Sequence, residues 1–157
     1  MIIISYDYSN FSGSSELYDQ LYVELKNYEG SGKECLVHGD PVLTNIIINE
    51  FGKIKFIDMR GTLGDKLSIT GDWLYDWAKI YQSLIGYDEI LEGKRLDANY
   101  KDAMIRHFKE YFFEFATQED FDKLRLITKS FLFSLIPLHN NNRCQEYYQL
   151  ITKVWIM

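Results

Sequence analysis

Proline and cysteine are both scarce, two of each in 157 residues. Cys35 and Cys144 stand far apart, which excludes a disulfide framework and offers no paired spacing for a zinc knuckle. Both are expected as reduced structural thiols of a cytoplasmic protein. Few prolines in a chain that is 46% hydrophobic and 16% aromatic exclude the signature of disorder, so an ordered globular fold is expected. Cations are also in deficit, 17 Lys and Arg against 23 Asp and Glu for a net charge of −6. Binding to a nucleic-acid backbone needs clustered Lys and Arg, so no nucleic-acid partner is expected, and a phosphate-bearing ligand would need a metal ion or a local cluster of donors. Long apolar runs are missing as well. Met1-Ile2-Ile3-Ile4 is short and has no basic leader, so it reads as a buried strand or packed arm, with neither a secretory signal nor a membrane span expected.

The length suits one domain spanning 1–157 with one core. Leu17, Leu21, Leu25 and Tyr28 recur on one helical face after Ser14-Ser15, and Gly30-Ser31-Gly32 ends that helix. Short apolar segments at 34–37, 46–48 and 54–57 then read as strands around a polar loop at 38–45, with a turn at Gly52. From Asp72 the period becomes 3.6, with Trp73, Trp77, Ile80 and Leu84 on one face and Gly86 as terminator. Further helices are expected at about 97–116, at about 117–138 behind a Thr117-Gln118-Glu119-Asp120 cap, and from about 143 to the end, with His139 to Asn142 as a turn. The fold class is therefore α+β and mostly α-helical, with a catalytic core at about 34–78 and a helical remainder at about 79–157.

The chemistry sits in three stretches: His38-Gly39-Asp40-Pro41-Val42-Leu43-Thr44-Asn45, Ile57-Asp58-Met59-Arg60-Gly61, and Gly71-Asp72-Trp73-Leu74-Tyr75-Asp76-Trp77-Ala78. Phosphoryl transfer asks for a carboxylate that orients the acceptor hydroxyl and takes its proton, and for oxygen ligands that hold magnesium on the phosphates. Asp40 suits the first task. Asn45, five positions on, and Asp58 suit the second, at the Asp-x-x-x-x-Asn spacing of a kinase catalytic loop. A two-residue hairpin turn at Phe51-Gly52 would place Asn45 and Asp58 directly opposite each other.

This ordered set resembles the aminoglycoside phosphotransferase and choline kinase superfamily. The resemblance covers residues 14–86 by motif, and the later helices fit as lobe packing. It implies the C-terminal lobe of a protein-kinase-like fold, with a small β-hairpin beside the catalytic loop. It further implies Asp40 as catalytic base, Asn45 and Asp58 as Mg2+ ligands, and His38, Asp72 and Asp76 as supports of the loop. ATP is the implied co-substrate, and the acceptor is a small hydroxyl compound such as a sugar, amino-sugar or amino-alcohol. The Asp58-Met59-Arg60-Gly61 variant is similar to kinase-like proteins of bacterial capsule and surface-polysaccharide synthesis.

Only 37 residues precede His38, and they hold no Gly-rich loop and no strand lysine. The lobe that grips ATP in the family is thus expected to be missing, and the isolated chain is expected to be inactive. Apolar surface left by that lobe would drive self-association or receive a completing chain.

Plainer readings stand beside these. Asp72 is adequately explained as a helix N-cap. Arg60 is expected first in a structural ion pair and only second at a substrate phosphate or carboxylate. His107 and His139 lack partners at ligand spacing, so surface or packing roles are expected. Tyr111, Phe112, Phe113, Phe115, Phe121, Phe131 and Phe133 are expected to build core. One alternative function is a noncatalytic kinase-like remnant that binds or oligomerises. A metal-dependent hydrolase is disfavoured because His38 has no second histidine at useful spacing.

Overall fold

A computed structural model describes residues 6–63, 65–139 and 143–154, with only the backbone of Leu63 and His139. The expected arm at Met1 to Ile4 lies outside the described residues, as do residues 140–142 of the expected turn and the side chain of His139.

The element order is α1 (Ser14–Tyr28), β1 (Glu34–Leu36), a 3-10 turn (Leu43–Asn45), β2 (Ile46–Ile48), β3 (Ile54–Phe56), β4 (Thr62–Leu63), β5 (Lys66–Leu67), β6 (Thr70–Asp72), α2 (Trp73–Ile85), α3 (Tyr87–Glu92), α4 (Ala98–Phe112), α5 (Gln118–His139) and α6 (Cys144–Lys153). The class is α+β and mostly helical, as the periodicity predicts. Three antiparallel two-stranded sheets join β1 with β6, β2 with β3 and β4 with β5.

Helices make the core. Leu74, Ala78 and Tyr81 on α2 meet Phe108 and Phe112 on α4 and Leu124 and Ile127 on α5. Local signals set the helix ends. Asp72 caps α2 by accepting from the Leu74 amide at 2.8 Å, and Gly86 ends it at φ 129°. Thr117 and Asp120 bond reciprocally at the start of α5, with Asp120 N–H to Thr117 Oγ1 at 3.2 Å and Thr117 N–H to Asp120 Oδ2 at 2.9 Å. The helix expected from 97 begins after the Asp97 cap and stops at Phe112, which leaves Phe113 and Phe115 outside it. The expected aromatic core divides accordingly: Phe112 and Phe121 are buried, Phe131 and Phe133 half-buried, and Tyr111, Phe113 and Phe115 exposed. Cys35 and Cys144 are free thiols, Cys144 buried.

Asp72 also ties α1 to α2, because its Oδ2 accepts from the Tyr28 hydroxyl at 2.6 Å. Burial, together with this bond, pushes the Tyr28 phenol well above its ordinary pKa. The contact leaves no space beside Gly32, where an added Cβ would lie 1.6 Å from Asp72 Oδ2.

The hairpin register differs by one residue from the expected one. Ile46 pairs with Phe56 and Ile48 with Ile54, so Asn45 aligns with Ile57 and Asp58 lies one position beyond. The cause is a three-residue loop. Asn49 and Gly52 close a turn at 2.9 Å, Gly52 takes φ 73°, and Asn49 Oδ1 accepts from the Phe51 and Lys53 amides. A glycine in the left-handed region after such a turn adds the extra residue.

Candidate active site

Helix α2 carries a polar stripe as well as its apolar face. Asp72, Asp76, Lys79 and Ser83 recur at steps of four, three and four, which keeps them on one side of a 3.6-residue helix. Three of them hold the 38–45 loop. The Asp76 carboxylate accepts from two consecutive backbone amides, His38 at 2.7 Å and Gly39 at 2.9 Å. Lys79 Nζ lies 3.1 Å from Asp40 Oδ1. Ser83 Oγ accepts from the Leu43 amide at 3.1 Å. These bonds replace water at groups a loop would otherwise leave unsatisfied, and they fix the loop before any ligand arrives.

The loop folds back on itself. Its 3-10 turn, with the Asn45 amide on the Val42 carbonyl at 2.8 Å, returns Asn45 beneath Asp40. Asn45 Nδ2 then donates to the Asp40 carbonyl at 2.9 Å and to Asp40 Oδ2 at 3.2 Å. This fixes the amide orientation and leaves Asn45 Oδ1 as an acceptor. Gly39 sits at φ 84°, and a Cβ there would meet Arg60 Cβ at 2.7 Å, so glycine is required twice over. His38 Nδ1 accepts from the Asp40 amide at 3.3 Å, which assigns the ring proton to Nε2. That Nε2 is buried without a partner among the described residues.

Asp58 reaches the same place by another route. The Ile57 amide donates to the Asn45 carbonyl at 3.0 Å, and the Arg60 amide to the His38 carbonyl at 3.0 Å. Asp58 is therefore held between the two ends of the 38–45 loop despite its altered register. It adopts φ 56°, the one non-glycine residue in the left-handed region among the described residues. Backbone held there costs of order 1 kcal/mol or more and concentrates at functional positions. The Asp58 carboxylate is exposed and makes no hydrogen bond or ion pair with another described residue.

Thus Asp40, Asn45, His38 and Asp76 form one hydrogen-bonded unit, Asp58 adjoins it through the backbone, and Asp72 serves α1 and α2. Arg60 departs from its expected ion pair: its guanidinium bonds the Tyr75 hydroxyl and stacks 5.7 Å from that ring, with no carboxylate partner among the described residues. His107 is exposed, 3.0 Å from Glu110. The residue missed in the sequence is Lys79. Its signal was present, since it lies three positions after Asp76 on the stripe that Asp72 begins.

Behind the loop, a cavity of about 270 Å3 is lined by Leu43, Thr44, Leu84, Leu96 and Met104, with Asp88 in its wall. Burial raises the Asp88 pKa against the opposing effect of the neighbouring Ser83 hydroxyl and Leu43 amide.

Among the described residues no cluster of three His, Cys, Asp or Glu side chains forms a metal cage. Asn45 Oδ1 and the unpartnered Asp58 carboxylate instead supply two hard oxygen donors. That set suits Mg2+, which keeps several waters and takes one or two protein oxygens together with substrate phosphates. The chain matches no protein-family model, no curated protein and no solved structure. No helix among the described residues is long and apolar enough to cross a membrane.

Proposed function

We propose that this chain is the catalytic-loop lobe of a phosphotransferase that moves the γ-phosphate of ATP to a hydroxyl of a small molecule such as a sugar, amino-sugar or amino-alcohol. The observation that carries the reading is the organisation around Asp40: one carboxylate oxygen faces Lys79, the other receives Asn45 Nδ2, and Asp76 holds the preceding amides. Such a carboxylate is pre-oriented to accept the acceptor's proton as the hydroxyl attacks phosphorus. Lys79 places a fixed positive charge beside the carboxylate, where charge shifts during transfer. Asn45 and Asp58 would hold Mg2+, which supplies charge neutralisation on the phosphates when bound.

The resemblance to the aminoglycoside phosphotransferase and choline kinase superfamily supports the same reading. A role in capsule or surface-polysaccharide synthesis follows from it as a narrower proposal. These 157 residues contain no Gly-rich loop and no strand lysine ahead of His38, so the chain alone is expected to bind Mg-ATP weakly and to turn over little. A noncatalytic binding or oligomerisation role is the second reading, favoured by the exposed apolar residues Ile48, Phe51 and Ile54 of the β2–β3 hairpin.

Calorimetric titration of ATP with and without Mg2+ tests the proposal. Binding should require Mg2+, be lost in Asp58→Ala and survive in Asp40→Ala. With a completing lobe supplied, Asp40→Ala should abolish ADP release in a coupled assay. Mg2+-independent binding, or turnover unaffected by Asp40→Ala, would sink the phosphotransferase reading.

A further inference from the structure

The β2–β3 hairpin presents far more apolar surface than a solvated hairpin needs. Ile47 is 50% exposed, Ile48 64%, Phe51 79%, Ile54 60% and Phe56 50%. Five large apolar side chains, each half exposed or more, thus stand together on one short hairpin, and contiguous apolar patches of this kind mark interaction surfaces. Something of complementary shape is expected to cover this face.

The backbone narrows the choice. Hydrogen bonds from Ile57 to Asn45 and from Asn49 to Lys53 flank the β2–β3 ladder. Antiparallel bonding alternates, so Ile47 and Lys55 form the hydrogen-bonded pair between them, and the polar groups of Ile46 and Ile48 point to the free edge. The Ile46 amide is taken by the Leu43 carbonyl. That leaves the Ile46 carbonyl and the Ile48 amide and carbonyl without a backbone partner among the described residues.

The two edges of the hairpin differ in what they can pair with. An antiparallel self-pairing of β3 centred on Ile54 sets Lys53 against Lys55 twice, and one centred on Lys55 sets that lysine against its own copy. Like charges directly opposite are destabilising, and edge lysines block such pairing. Self-pairing of β2 about Ile47 brings only isoleucines together, Ile47 on Ile47 and Ile46 on Ile48, flanked by Asn45 and Asn49. It also yields two reciprocal bonds, each from an Ile48 amide to the other copy's Ile46 carbonyl. Charge favours the same approach: the hairpin carries Glu50 against Lys53 and Lys55, whereas the chain as a whole stands at −6. Two acidic copies therefore repel less along this face than their net charge alone would imply.

We propose that β2 is a self-recognition edge, through which two copies of the chain join about a two-fold axis into a four-stranded antiparallel sheet, β3-β2-β2-β3. The interface is isologous, as two-fold symmetry requires, and it rests on the hairpin alone, independent of any phosphotransferase activity.

Sedimentation equilibrium of the full chain over a range of concentrations tests it. The chain should approach twice its 18.6 kDa mass. Ile47→Lys should weaken the dimer at least tenfold while the circular dichroism spectrum is unchanged, because Ile47 is half exposed and the change places like charges opposite each other. In a Cys35→Ser background, Ile47→Cys should form an intermolecular disulfide on mild oxidation and Lys53→Cys should not. A monomer at every concentration overturns the proposal by assigning the face to another occupant. A dimer that survives Ile47→Lys, or one that cross-links through Lys53→Cys in place of Ile47→Cys, overturns it by placing the contact elsewhere.

Discussion

Lys79 Nζ stands 3.1 Å from Asp40 Oδ1, its own side chain only 16% exposed and 4.8 Å from the Phe131 ring. Packing against an aromatic face fixes the ammonium, so the charge beside Asp40 is held by the fold and need not be recruited. With a completing lobe supplied, Lys79→Met should lower the rate of phosphoryl transfer on the order of a hundredfold. Stability should change by no more than about 1 kcal/mol, because the Asp40 carboxylate is 40% exposed and water screens the pair. Lys79→Arg should recover part of the rate. A rate loss no larger than the stability loss explains would make Lys79 a packing residue only.

Asp76 makes a different contribution, since its two oxygens satisfy two amides that no strand or helix satisfies. An asparagine keeps one acceptor and turns an NH2 group toward the other amide. Charge-assisted bonds of this kind contribute about 1.5–3 kcal/mol each, so Asp76→Asn should destabilise the chain by about that amount. Urea unfolding followed by far-UV circular dichroism measures it. An unchanged midpoint would mean that the loop stands without this anchor.

Gly32 tests the link between α1 and α2. An alanine methyl cannot share space with Asp72 Oδ2, so Gly32→Ala must displace the carboxylate from Tyr28, from the Leu74 amide, or from both. Loss of a helix cap and a part-buried hydrogen bond should cost about 2 kcal/mol together. Tyr28→Phe removes only the second bond and should cost about half as much. If the double variant is no worse than Gly32→Ala alone, the steric contact acts through the Tyr28 bond.

Much of this was legible in the sequence because it is local. The rhythm of Leu17, Leu21, Leu25 and Tyr28, the Asp72 cap and the Thr117-Asp120 pair each act within a few residues, and each appears in place. The loop residues were legible for the same reason, since Asp40 and Asn45 meet across a single 3-10 turn. The hairpin register went wrong at one point. Phe51-Gly52 reads as a two-residue turn, whereas the Asn49 side chain accepts two amides and sets a three-residue loop. Strand β6 was missed because it pairs with β1 across more than thirty residues, and nothing in three residues announces such a partner. Short α3 and the two-residue β4 and β5 carry no period to detect. Lys79 was overlooked because a lone lysine in a helix reads as solvated, and only the shared face with Asp72 and Asp76 marks it.

The last prediction concerns Lys129, a lysine of α5 that is 1% exposed. Burial is the largest influence on it, opposed by Glu24 and reinforced by Arg125, and together they bring its pKa down to about 8. In the unfolded chain the group titrates near 10.5. Between these values the unfolded state holds more protons than the folded one, so the contribution of Lys129 to stability rises with pH through that window. Below about pH 8 the folded chain carries the buried charge, which folding disfavours by about 1–3 kcal/mol relative to the neutral amine of the same lysine. The difference in stability between the parent and Lys129→Met should therefore shift in the parent's favour as the pH is raised from 8 to 10. Denaturant unfolding of both proteins at pH 7, 8, 9 and 10 measures it, and the difference between them removes every other titrating group. A gap that stays constant across this range would show that Lys129 keeps an ordinary pKa in the folded chain.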